Sequence, residues 1–161
     1  MLKRIALMLS LVGAVAVMPA QPPASAQSEE TGEQYVFVQQ ASEAQVEDNG
    51  LVLSGLGPAT VYFSERPERD VGQLTYAEFL DAWARGADSF ASDPPNASLA
   101  FRSEGKQQVV VLELMEPTFS HGNLRYTTRL LEGELPERFG PATLFIDGGA
   151  LIQLVASGVQ D

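Results

Sequence analysis

From residue 35 onward, apolar and polar positions alternate in short runs, the period of β-strands rather than of helices. Tyr35-Val36-Phe37-Val38 is β-branched and aromatic and predicts a first strand. Asn49-Gly50 lies between Ala44-Gln45-Val46 and Leu51-Val52-Leu53, and a pair that tolerates positive φ there predicts a hairpin. Between Ala59 and Ser64, Val61 and Phe63 fall on one face and Thr60 and Tyr62 on the other. Val109-Val110-Val111-Leu112 is apolar on both faces, as a central strand would be. Leu124, Tyr126, Thr128 and Leu130 alternate with Arg125, Thr127, Arg129 and Leu131, the pattern of a half-solvated strand. Thr143 to Ile146 reads as a further strand, and Leu151 to Val155 as a last strand or an ordered tail.

One segment breaks the period of two. Thr75 and Glu78 form a capping box, with Leu74 and Phe79 at the staple positions around it. Tyr76, Phe79, Leu80 and Trp83 then share a face at helical spacing, and Gly86 is placed to end the helix. On that apolar face Trp83 reads as core rather than as a carbohydrate platform. Ser89 to Asn96 is a loop, because Pro94-Pro95 excludes both a helix and a central strand. Many short strands and one helix predict an all-β protein: an antiparallel β-sandwich, of which an immunoglobulin-like arrangement is one form, with one short helix inserted.

The first 26 residues have a different pattern. Lys3 and Arg4 precede an apolar run from Ile5 to Val17, interrupted only by Ser10 and Gly13. Pro19, Pro22 and Pro23 stop any helix, and Ala24-Ser25-Ala26 supplies small residues at a cleavage site. This is the layout of a secretory signal peptide, cut between Ala26 and Gln27. A spanning helix needs about 20 apolar residues, so an uncleaved anchor is the weaker alternative. The chain therefore divides into a leader (1–26), a polar lead-in (27–34) and a single sandwich domain (35–161).

Cleavage would leave eight basic residues against all 21 acids, a net charge of −13. Such a surface repels phosphate backbones and anionic headgroups, which excludes nucleic acid as a partner class. Cysteine is absent, which fits a bacterial periplasmic or secreted protein stabilised by its core alone rather than a cystine-rich module.

Ser103-Glu104-Gly105-Lys106 matches Ser-x-x-Lys, but it sits between two predicted strands with a glycine inside it, and reads as a hairpin turn. Glu47-Asp48-Asn49-Gly50 lacks the carboxylates a calcium loop would need at positions 45 and 56. The single histidine, His121, lies in the turn-like Ser120-His121-Gly122-Asn123 without zinc-ligand spacing or a nucleophile elbow. The sequence thus assigns no metal, cofactor or catalytic residue.

Two loops carry the densest polar chemistry. Tyr62 to Asp70 holds Arg66 and Arg69 among Glu65, Glu68 and Asp70, and Ser89 to Asn96 holds Asp93 and Asn96. If the loops meet, Arg66 or Arg69 can pair with Asp93 beside Asn96, because the guanidinium fork suits a carboxylate. The functional reading is a small polar pocket for a ligand carboxylate or a sugar, formed by Arg66, Arg69, Asp93 and Asn96. The structural reading is a salt-bridged corner.

The strings Tyr62-Phe63-Ser64-x-Arg66-Pro67-x-Arg69 and Ser89-Phe90-Ala91-x-Asp93-Pro94-Pro95-Asn96-Ala97 resemble those of a family of small exported bacterial proteins. The resemblance spans roughly Phe37 to Asp147. It implies no particular activity, but it marks the same two loops. Three expectations follow. The first is an exported binding or interaction module whose partner is a small ligand or an envelope protein. The second is an envelope hydrolase using some of Glu65, Glu68, Asp70 and Asp93. The third is a purely structural envelope protein.

Overall fold

The computed structural model describes residues 34–64 and 69–148. The leader with its Ala26–Gln27 junction, Glu65 to Glu68 (Arg66 among them) and the Leu151–Val155 segment lie outside the described residues.

Among the described residues the protein is all-β and sandwich-like, with strands paired antiparallel and one short helix. The elements run β1 (Tyr35–Glu47), β2 (Gly50–Leu56), β3 (Thr60–Ser64), β4 (Val71–Leu74), α1 (Tyr76–Trp83), β5 (Asn96–Ser103), β6 (Lys106–Ser120), β7 (Asn123–Glu132), β8 (Arg138–Phe139) and β9 (Ala142–Asp147). All nine strands belong to one sheet, ordered β2-β7-β6-β5-β9-β1-β3-β4, with β1 pairing β2 and β8 as well. Hydrogen bonding therefore returns from β9 through β1 to β2. The two layers are continuous, where an immunoglobulin-like arrangement would keep two separate sheets.

Strand β1 makes that closure possible. Tyr35, Phe37, Gln39 and Ala41 point inward; Ser42 and Glu43 are both exposed, and Ala44 is buried again. The side-chain parity flips at this bend. Its first half pairs with β3 and β9, and its second with β2 and β8. The register to β9 ends at Ala41↔Ala142 and resumes to β8 at Ala44↔Phe139. β8 and β9 are thus two halves of one strand, interrupted at Gly140-Pro141 beside the bend. A Cβ on Gly140 would collide with the Ser42 carbonyl oxygen, so only glycine permits this close approach.

The β1–β2 turn falls one residue earlier than Asn49-Gly50. Glu47 pairs with Gly50, and Asp48 (φ 46°) and Asn49 (φ 61°) are the central residues. Both types tolerate the left-handed region, so Asp-Asn serves as the two-residue turn. Glu104-Gly105 and His121-Gly122 occupy the equivalent positions in the β5–β6 and β6–β7 turns, each with positive φ. The Ser-x-x-Lys string and the lone histidine are therefore turn residues.

The core combines Leu51, Leu53, Leu99, Leu112, Leu114, Leu124, Leu144 and Ile146 with an aromatic cluster under α1. On β3 Thr60, Tyr62 and Ser64 point inward, while Val61 and Phe63 face outward, Phe63 opposite Val71 and Val61 separated from Phe145 by Val38. Among the described residues no helix is long and apolar enough to cross a membrane.

Candidate functional site

Helix α1 begins where the capping box places it. Glu78 N–H donates to Thr75 Oγ1 at 3.2 Å, and Thr75 N–H donates to Glu78 Oε2 at 2.8 Å. The Thr75 backbone N–H, followed by its hydroxyl, holds the Glu78 carboxyl below the ordinary glutamate range. The helix stops at Ala84, two residues short of Gly86. It buries Tyr76, Phe79, Ala82 and Trp83, and burying each large apolar side chain contributes roughly 1.5–3 kcal/mol.

The aromatic rings interlock under the helix. Phe79 meets Phe37 at 5.4 Å and Trp83 at 5.8 Å. Trp83 meets Phe90 edge-on at 4.9 Å and Tyr126 at 5.7 Å. The turn after α1 is tied down by backbone bonds: Ala91 N–H donates to the Trp83 carbonyl, and Ser92 and Asp93 N–H donate to the Ser89 carbonyl. Leu114 N–H donates to the Pro95 carbonyl, which joins this turn to β6.

A third wall comes from a bulge in β6. Met115 pairs with Thr127, but Thr118 pairs with Arg125, so β6 carries one extra residue there. Glu116 takes the strained φ of 46°, and Pro117 sits in the strand only because the ladder is broken. Thr127 Oγ1 donates to Glu116 Oε2 at 3.1 Å and fixes the carboxylate.

Between helix, turn and bulge lies a groove of about 680 Å3, lined by Leu80, Trp83, Ala84, Phe90, Ala91, Pro94, Met115, Glu116 and Pro117. Trp83 and Phe90 are 4% and 6% exposed, so they form its floor. Among the described residues, Glu116 is the one ionisable side chain of the lining. Trp83 is core, as its spacing predicts, and its ring also bounds the groove.

The residues singled out from sequence lie elsewhere. Arg69 is exposed, with a left-handed φ of 64°, just before β4. The loop it closes is pinched by Ser64, whose N–H donates to the Asp70 carbonyl while Asp70 N–H donates to Ser64 Oγ at 2.7 Å. Asp93 is exposed beside Pro94, and Asn96 opens β5 opposite Glu113. Asn96 borders a different, smaller groove of about 310 Å3 with Val36, Phe145 and Asp147. Arg69 and Asn96 flank strands β4 and β5, four strand spacings apart in the sheet order, or roughly 19 Å along it. The structure therefore does not gather Arg69 with Asn96. The 89–96 loop does line a groove, but through Phe90, Ala91 and Pro94.

Sequence reasoning missed Met115, Glu116 and Pro117. The available signal was a proline inside an otherwise strand-like run, which marks a bulge. Among the described residues no group of three or more His, Asp or Glu side chains is placed to hold a metal ion. No protein-family model matches the chain, and no significant match is found among curated proteins or among solved structures.

Proposed function

We propose that the chain is an exported binding protein, carried out of the cytoplasm by the 1–26 leader, whose groove beside α1 holds a small, largely apolar ligand. The observation that carries this reading is the groove itself. Small-molecule sites are concavities of about 300–1,000 Å3 with apolar walls and few polar groups, and this one has about 680 Å3, two aromatic rings at its floor and one carboxylate. The interlocked rings and backbone ties keep the walls formed without a ligand, which lowers the cost of binding.

The reading favours binding over hydrolysis. A glycosidase-type mechanism needs two carboxyls across a cleft, and the lining supplies Glu116 alone. Asp70 and Asp93 sit on separate loops outside it, and Glu65 and Glu68 lie outside the described residues.

The test uses the neutral fluorophore N-phenyl-1-naphthylamine. Trp83 is the only tryptophan, so energy transfer from it reports bound probe, and the comparison with Ala91→Phe assigns that probe to the groove. Saturable transfer, lost in Ala91→Phe at unchanged melting temperature, is the expected result. No saturable transfer would overturn the reading. Export is tested separately: the envelope fraction should contain a chain beginning at Gln27, and a cytosolic chain with its leader intact would contradict it.

A further inference from the structure

We infer that the occupant of the α1 groove is an organic cation, an apolar body bearing an ammonium-type group, with Glu116 as its counter-charge. The inference rests on the groove being a binding site and adds the sign of the ligand's charge.

Three features carry it. The first is a contrast with three other strand carboxylates, each of which has an arginine partner. Glu113 is met by Arg129 at 2.6 Å, Glu43 by Arg138 at 3.0 Å and Glu47 by Arg125 at 3.7 Å. Glu116 alone faces the groove, and its partner is the neutral Thr127 hydroxyl on Oε2. Among the described residues, its Oε1 has neither a hydrogen-bond nor an ion-pair partner. The β-bulge that aims this side chain costs backbone strain at a non-glycine residue, the kind of strain that clusters at ligand sites.

The second feature is the end of the helix. Trp83 and Ala84, the last residue and C-cap of α1, line the groove. The carbonyl end of a helix carries partial negative charge and favours cations within its last turn. The flanking chain from Leu80 to Asn96 adds Asp81, Asp88 and Asp93 against a single base, Arg85.

The third feature is aromatic. Trp83 and Phe90 line the floor, and aromatic rings in a desolvated site favour a cation over an anion. An anionic amphiphile would meet the reverse of all three. Fatty-acid-like and carboxylate ligands are thus disfavoured, opposite to what two arginines in the pocket would have selected.

The experiment titrates the protein with decyltrimethylammonium, decanol and decanoate, all below micelle-forming concentrations, following Trp83 fluorescence. The expected order is cation, then alcohol, then carboxylate, with the cation at least ~10-fold tighter than decanol at low salt and the gap narrowing as salt rises. Glu116→Gln should narrow the gap between cation and alcohol several-fold without changing the melting temperature. Glu104→Gln, in the distant β5–β6 turn, should preserve the preference and so exclude general attraction to an acidic surface. Equal binding of cation and alcohol by the unaltered protein would overturn the inference and leave the apolar groove standing. A preference undiminished in Glu116→Gln would overturn the role of Glu116. No response to any of the three would overturn both readings.

Discussion

The Tyr126 hydroxyl donates to Gln39 Oε1 at 2.8 Å, joining β7 to β1 across 87 residues of sequence inside the core. Gln39 Nε2 donates in turn to Thr60 Oγ1 at 3.0 Å, and all three side chains are fully buried. This polar chain lies under Trp83, whose ring is 5.7 Å from that of Tyr126. It therefore braces the floor of the groove from below. Tyr126→Phe leaves the Gln39 carbonyl oxygen buried without its donor, which costs roughly 1–3 kcal/mol. Denaturant unfolding should show that loss. Combining it with Gln39→Met should cost less than the two changes summed, because the second removes the orphaned acceptor.

Tyr126 also predicts behaviour at high pH. Burial pushes its ionisation far above the ordinary tyrosine value of about 10. Tyr76 is shifted the same way by burial. Above pH ~10 the unfolded chain releases these protons while the folded chain keeps them, so stability is complete below that pH and falls as pH rises beyond it. The melting temperature measured from pH 8 to 11 should decline more steeply for the parent than for Tyr126→Phe.

At the helix start, Thr75→Ala removes one half of the capping box and should cost about 1 kcal/mol. Because the folded-state pKa of Glu78 is depressed, its contribution is complete above the ordinary glutamate value and is lost as pH falls through the depressed one. Glu78→Gln should flatten the acid limb of the stability profile, as followed by far-ultraviolet circular dichroism.

The bend in β1 yields a further substitution. Gly140→Ala would drive a methyl group into the Ser42 carbonyl oxygen and the Glu43 Cα. Both are backbone atoms that cannot rotate away, so overpacking of roughly 1–3 kcal/mol is expected. Gly105→Ala has open space around it but also a positive φ of 76°, so only the smaller conformational cost of roughly 1 kcal/mol applies. The ranking of the two by denaturant midpoint checks the account of the bend.

How much of this was legible in the sequence follows the range of the forces involved. The capping box, the turns at Glu104-Gly105 and His121-Gly122, and the core face of α1 depend on residues within four positions of one another, and all could be read. The parity flip at Ser42 and Glu43 could not, because it depends on Gly55 and Gly140 arriving from other strands. The outward turn of Val61 and Phe63, with Thr60 inside, contradicts simple burial of apolar faces. It follows from Thr60 completing the Gln39 chain, a contact across 21 residues. The groove shows the same division. Its Phe90–Pro94 wall lay in a loop already marked, whereas its Met115–Pro117 wall is set by a bulge whose register exists only in the folded sheet. The arginine loop drew attention through composition, and nothing local showed that β3, β1 and β9 separate its β4 end from Asn96.

The most direct test of the central claim is a map of backbone amide shifts on titration with N-phenyl-1-naphthylamine. The protein also presents an exposed apolar face, where Val71 is 75% exposed beside Phe63, Val61 and Phe145, so the probe has a real choice. Shift changes concentrated at Leu80 to Ala84, Phe90 to Asp93, and Met115 and Glu116 are predicted. Changes concentrated on Val61, Phe63, Val71 and Phe145, with the groove silent, would contradict the account.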